Sequence, residues 1–208
     1  MTVARFGTVI VLRTCLALSV LLSVVVASPA AAAPASSQAS IRAPAHVLFL
    51  GNSHTRRHGG LDWLLGNFVA AEEAPHAYEG TMVADGGATL AHHWDAGVAQ
   101  RIRSGDFDAV VLQGWLPGAP TATDEPFLEH AQNFEEVIDK TRARTILFMS
   151  WPGGPGAWPT LDDTVDAHRR LERGLGVAVA PAAVAFARSH AERPDIELID
   201  ADGIHATW

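Results

Sequence analysis

Five short, nearly continuous apolar runs recur along the chain: HVLFL (residues 46–50), TMVA (81–84), AVVLQ (109–113), TILFMS (145–150) and GVAVA (176–180). Runs this short, rich in β-branched residues and without polar alternation, are what strands look like when both of their faces are covered. Between them the apolar residues return at helical spacing, over residues 61–71, 90–102, 127–138, 165–175 and 182–191. Strand and helix alternating in this way predict an α/β domain, a three-layer α/β/α sandwich of flavodoxin-like type around a mainly parallel five-stranded sheet. In such sheets ligands bind beyond the carboxyl ends of the strands, so chemistry is to be sought in the loops that follow each run.

The chain of 208 residues, 48% of them hydrophobic, has material for one sizeable core and too little length for two ordinary domains. Its N-terminus has another character. Arg5 and Arg13 precede an apolar stretch, and the small-residue tract SPAAAAPASS follows it. A charged start, an apolar centre shorter than a bilayer span and A-x-A spacing are the parts of a secretory signal peptide, expected over residues 1–32 with cleavage near Ala32. Residues 33–44, rich in Ala, Ser and Pro, read as a flexible leader into a domain over residues 45–208. The expected location is therefore secreted or extracytoplasmic.

The only cysteine is Cys15, inside the expected leader, so the mature domain has no thiolate with which to bind zinc, attack a substrate or form a disulfide. The formal charge is −8, and the leader contains arginines but no acids, so its removal leaves the domain more acidic still. That balance argues against nucleic acid and against stable attachment to an anionic membrane after cleavage. Oligomeric state is left open.

The loop after the first run is GNSHT, residues 51–55, and a helix follows. Ser53 there is either a helix N-cap or a nucleophile beside backbone N–H groups able to hold an oxyanion. At the other end of the chain a short strand-like IELID leads into ADGIHATW, where Asp202 and His205 are three residues apart. One turn at that spacing brings a carboxylate to one imidazole nitrogen and leaves the other free. Serine catalysis needs that pairing, with the carboxylate fixing the tautomer and the histidine taking the hydroxyl proton.

GNSHT resembles the first sequence block of the SGNH (GDSL-type) hydrolases, and DGIH resembles their closing Asp-x-x-His block, in the family's order. The resemblance implies a serine esterase with Ser53, Asp202 and His205 as catalytic residues and no cofactor or metal, and the leader makes it a secreted one. It implies an oxyanion hole from the Ser53 N–H, a Gly87 N–H in ADGGATL, and a side-chain amide after the third strand. Where the family usually has asparagine, this chain has LQGW, similar to the Gln-Gly-Glu block of acetylesterases that act on sugars, so Gln113 is either the third oxyanion donor or a buried amide pinning loops. In that class the chain normally continues from the closing block into a helix, which is absent here, so the domain is expected to lack its C-terminal helix.

Asn52, Trp115 and Trp151 are the residues expected to meet a small-molecule or glycan ester. Trp94 and Trp158 also lie near strand ends, and indoles there either stack on sugar rings or pack loops. Short acyl esters, acetyl-like and possibly on carbohydrate, are the expected substrates. A non-catalytic glycan-binding protein on the same scaffold, or an acyltransferase, are the alternatives. Other groupings are weaker. His54 with His58, and His92–His93 with Asp95, lack a metal-site motif, while Arg56 and Arg57 read as solvated or as a grip for an anionic group.

Overall fold

In a computed structural model of the chain the apolar runs form one all-parallel sheet, ordered β2-β1-β3-β4-β5. The strands are β1 (His46–Gly51), β2 (Glu79–Ala84), β3 (Ala109–Leu112), β4 (Arg144–Phe148) and β5 (Ala178–Ala180). The structure describes residues 46–71, 78–114, 125–152 and 159–207, all within the unit 42–208. The expected leader, and Trp115 and Trp158, lie outside the described residues. Register puts Leu48 beside Thr81 on one side and Val110 on the other, and Val110 beside Thr145. The chain leaves β1 for β2 on one flank and returns to β3 on the other, so strand order reverses at the β1/β3 boundary, the place where such sheets bind ligands.

Successive side chains of a strand face opposite sides, and the two faces here collect different partners. Leu48, Leu50, Val110, Leu112 and Leu147 point into the larger core. There they meet Leu90 of α3 (Leu90–Asp95), Ile102 of α4 (Val98–Ser104), Phe134 and Ile138 of α5 (Glu125–Ile138), and Leu171 of α6 (Leu161–Leu175). Val47, Phe49, Ala109 and Val111 face the other way, against Leu61 and Leu65 of α2 (Gly60–Ala71). Ala183 and Phe186 of α7 (Ala182–Glu192) pack with Met149 and Trp151 near the end of β4. Each fully buried Leu or Phe stabilises the fold by about 1.5–3 kcal/mol relative to exposure. The helices cover both faces, which is why the strands carry no polar alternation.

Local chemistry sets the helix boundaries. The stretch expected as one helix over residues 90–102 is two, because Gly97 adopts a left-handed conformation (φ 77°) and caps the start of α4. Thr160 and Asp163 cap the start of α6 reciprocally, and Gly176, also left-handed, ends it. The strand-like IELID is a single antiparallel bridge from Ile199 to Ala206 that folds residues 197–207 back on themselves. Thr207 N–H donates to the Leu198 carbonyl (3.1 Å), and buried Ala206 packs with Met149, Trp151 and Ala183.

Gly51 ends β1 where there is no space for a side chain. A Cβ there would collide with Thr55 Oγ1 and lie 2.6 Å from Gln113 Oε1. Gly51→Ala is therefore expected to destabilise the protein by about 1–3 kcal/mol, as overpacking of a filled site does. A denaturant midpoint unchanged from wild type would contradict this.

Candidate active site

The turn after β1 is built by Asn52. Its side-chain oxygen accepts from the His54 N–H (3.0 Å), and its backbone carbonyl accepts from the N–H groups of Thr55 (3.0 Å) and Arg56 (3.1 Å). This starts α1 (Ser53–Arg56), a single turn. The N-cap is thus Asn52, and Ser53 is the first helical residue, half-buried, with no capping duty. Among the described residues the Ser53 N–H has no acceptor, as expected for the first donor of a helix.

Three neighbours hold this turn. Gln113, fully buried just after β3, accepts the Asn52 N–H (2.8 Å) and the Thr55 hydroxyl (2.9 Å) on one oxygen. The Asn52 amide donates to the Ala88 carbonyl (3.2 Å), drawing the loop that contains Gly87 alongside. His93 of α3, also buried, donates from Nε2 to the Gly51 carbonyl (2.8 Å). Burial pushes its imidazole below the ordinary histidine range, favouring the neutral donor.

The loop at residues 200–205 joins Asp202 to His205. His205 Nδ1 donates to Asp202 Oδ2 (2.7 Å), and Asp202 Oδ1 accepts the N–H groups of Ile204 and His205 (both 2.9 Å). The His205 N–H, its ring, the Ile204 N–H and the Arg57 guanidinium hold the Asp202 carboxyl well below the usual carboxylate range. His205 Nε2 is buried and has no hydrogen-bond partner among the described residues. The loop is held on three sides. Asp200 N–H donates to the His205 carbonyl (2.6 Å), Trp151 Nε1 to the Ile204 carbonyl (2.7 Å), and the bridge to Ala206 closes it. Only two described residues follow His205 in the sequence, yet these bonds fix its backbone.

His54 joins the turn to this loop. Its ring lies 5.7 Å from that of His205, edge to face, and stacks on Trp151 at 4.9 Å. Burial, then the neighbouring His205, lower its pKa to about 4, with Asp202 opposing. His54 is therefore neutral near pH 7.

Several expected contacts take other forms. Asn52 is only 2% exposed and its side chain is spent on the turn and Ala88, so it builds the site from within instead of lining it. Trp151 is buried between His54 and Phe186, whose ring stacks at 4.3 Å, and it presents no open face to a sugar. Trp94 packs edge-on to Phe134 in the core. The Gln113 amide donates to the Gly114 carbonyl (3.1 Å) and to Ser150 Oγ (3.4 Å), which gives it the loop-pinning geometry. Gly87 is exposed in a turn with φ 71°, and among the described residues its N–H has no acceptor. Arg57 is an ion-pair partner of Asp200 and Asp202. His92 lies 3.7 Å from Asp85, and among the described residues no group of three or more possible metal ligands gathers. Sequence reasoning missed the roles of Arg57, His54 and His93. The adjacency of His54 to Ser53 was the one available signal.

No family model matches the chain, and no curated protein is significantly similar to it in sequence. Solved structures are similar in fold. A lipase/acylhydrolase from Enterococcus faecalis aligns over 78% of this chain and 87% of its own at 15% identity, with a TM-score of 0.62. The acetyl xylan esterase AlAXEase aligns over 78% and 91% at 18% identity and TM-score 0.59. AlinE4, described as an SGNH-hydrolase family esterase, aligns over 78% and 86% at 14% identity and TM-score 0.55. The chain has the SGNH hydrolase fold.

Buried neutral histidines make this fold sensitive to acid. Burial depresses the pKa of His54, His93 and His168, so below about 6.5 the unfolded chain takes up protons that the folded one refuses. Stability should be level above that pH and fall as pH drops towards about 4, the His54 value. Urea midpoints measured from pH 7.5 to 4.5 should decline, and His54→Phe, which keeps a ring against Trp151, should decline less steeply. Equal midpoints across that range in wild type would refute the assignment.

Proposed function

We propose that this chain is a serine hydrolase of short acyl esters, with Ser53 as nucleophile, His205 as general base and Asp202 as the group that orients it. One observation carries the reading. Asp202 holds His205 Nδ1 at 2.7 Å while Nε2 is left buried and unpartnered, and the ring stands edge-on to the residue that follows Ser53. A buried imidazole nitrogen without a partner is costly unless it has a transient one, and the Ser53 hydroxyl is that partner.

In the acylation step Ser53 Oγ attacks the ester carbonyl while His205 Nε2 takes its proton. The tetrahedral oxyanion is held by the N–H groups of Ser53 and Gly87, and the imidazolium returns the proton to the departing alcohol. Water then repeats the sequence at the acyl-enzyme, with His205 as base and Ser53 as leaving group. Gln113 serves by fixing Asn52 and Thr55, its own amide being engaged by Gly114 and Ser150. An acetyl group on carbohydrate is the proposed substrate, supported by the Gln-Gly sequence after β3 and by the fold shared with a protein described as an acetyl xylan esterase. Export by the N-terminal leader is the corresponding proposal for location.

Release of acetate from p-nitrophenyl acetate and from acetylated xylan tests the reading, with an added acceptor sugar to reveal acyl transfer. Ser53→Ala and His205→Ala should each abolish turnover, and the double variant should be no worse than either, because residues that act as a unit are not additive. Asp202→Ala should retain more. Wild-type rates in Ser53→Ala would overturn the assignment.

A further inference from the structure

Arg57 stands at the end of the same single helical turn that Ser53 begins. Its two terminal nitrogens reach different acids, NH1 to Asp202 Oδ2 and NH2 to Asp200 Oδ2, each at 2.7 Å. The first of these oxygens is the one that also accepts His205 Nδ1. The second acid belongs to the residue whose backbone N–H holds the His205 carbonyl at 2.6 Å. The guanidinium therefore grips the base-bearing loop at both ends.

We propose that Arg57 is a positioning residue that references the Asp202–His205 loop to the Ser53 turn, and so sets where His205 Nε2 stands relative to the nucleophile; this rests on the function proposed above. Partly exposed ion pairs contribute little to global stability, so two of them on one side chain are better understood as geometry than as glue. Arginine suits the task because its planar fork presents two fixed donors to two carboxylates, which the single ammonium of lysine does not. The contact also replaces sequence proximity. Arg57 and Asp202 are separated by 145 positions, and α1 has Ser53 at its start and Arg57 as its C-cap.

The test uses full-length wild type, Arg57→Gln, Arg57→Lys and, as control, Arg56→Gln at the neighbouring exposed arginine. Amide hydrogen exchange at Ile204 and His205, the two donors to Asp202 Oδ1, reads the loop without reference to any activity. Arg57→Gln should exchange there at least about tenfold faster, with Arg57→Lys between it and wild type and Arg56→Gln unchanged. On p-nitrophenyl acetate, kcat should fall roughly 10- to 100-fold in Arg57→Gln with KM within about twofold, since misplaced catalytic groups cost rate more than binding. Arg57→Lys should recover part of the loss, and it stands in should Arg57→Gln fail to fold. Exchange and kcat at wild-type levels in both variants would overturn the proposal. Unchanged turnover in Ser53→Ala would instead sink the ester-hydrolase reading, and the exchange result would still decide whether Arg57 holds the loop.

Discussion

The side chain of Gln113 is the point on which the site depends. It is fully buried at the β1/β3 boundary, where the strand order reverses, and one oxygen takes both the Asn52 N–H and the Thr55 hydroxyl. The chain leaves β1 through buried polar groups, and the Asn52 N–H and Thr55 hydroxyl would be stranded in the interior without it. An apolar replacement would leave buried donors unsatisfied, at about 1–3 kcal/mol each. The same bonds fix the direction in which α1 leaves the sheet, and with it the place of Ser53. Gly51 allows the approach, and His93 secures its carbonyl.

Against this fixed turn the C-terminal loop is assembled around a single carboxylate. Asp202 gathers two backbone N–H groups, the His205 ring and the Arg57 guanidinium. An aromatic wall backs it, with Phe186, Trp151 and His54 stacked in series and His205 meeting the last of them edge-on. Trp151 adds a hydrogen bond to the Ile204 carbonyl. Every one of these contacts restrains His205 except at Nε2.

The architecture was legible because strands covered on both faces cannot hide: the apolar runs mark all five, within two residues at either end. The errors have physical sources. The start of β2 at Glu79–Gly80 is polar because that strand lies at the sheet edge, and the helix over residues 90–102 divides because Gly97 needs a left-handed conformation. Of the proposed site, Ser53, Asp202 and His205 come from two short motifs in a fixed order, and the three-residue spacing of the last two is matched by their hydrogen bond. Arg57 was not, since its partners lie 143 and 145 positions away and charge complementarity at that distance leaves no pattern. Nor does a sequence say which end of an amide faces inward, or what a tryptophan stacks on. Gln113, expected either as an oxyanion donor or as a loop-pinning amide, has the pinning geometry, and Trp151, expected against substrate, is a buried support.

Covalent trapping with diisopropyl fluorophosphate, followed by peptide mass mapping, shows whether Ser53 and the Asp202–His205 pair act as one nucleophilic unit. A serine made nucleophilic by a neighbouring imidazole reacts at this phosphorus, whatever ester the protein acts on. One adduct is expected, on Ser53, formed rapidly in wild type and suppressed by orders of magnitude in His205→Ala. An unlabelled Ser53, or labelling equally fast without His205, would contradict it.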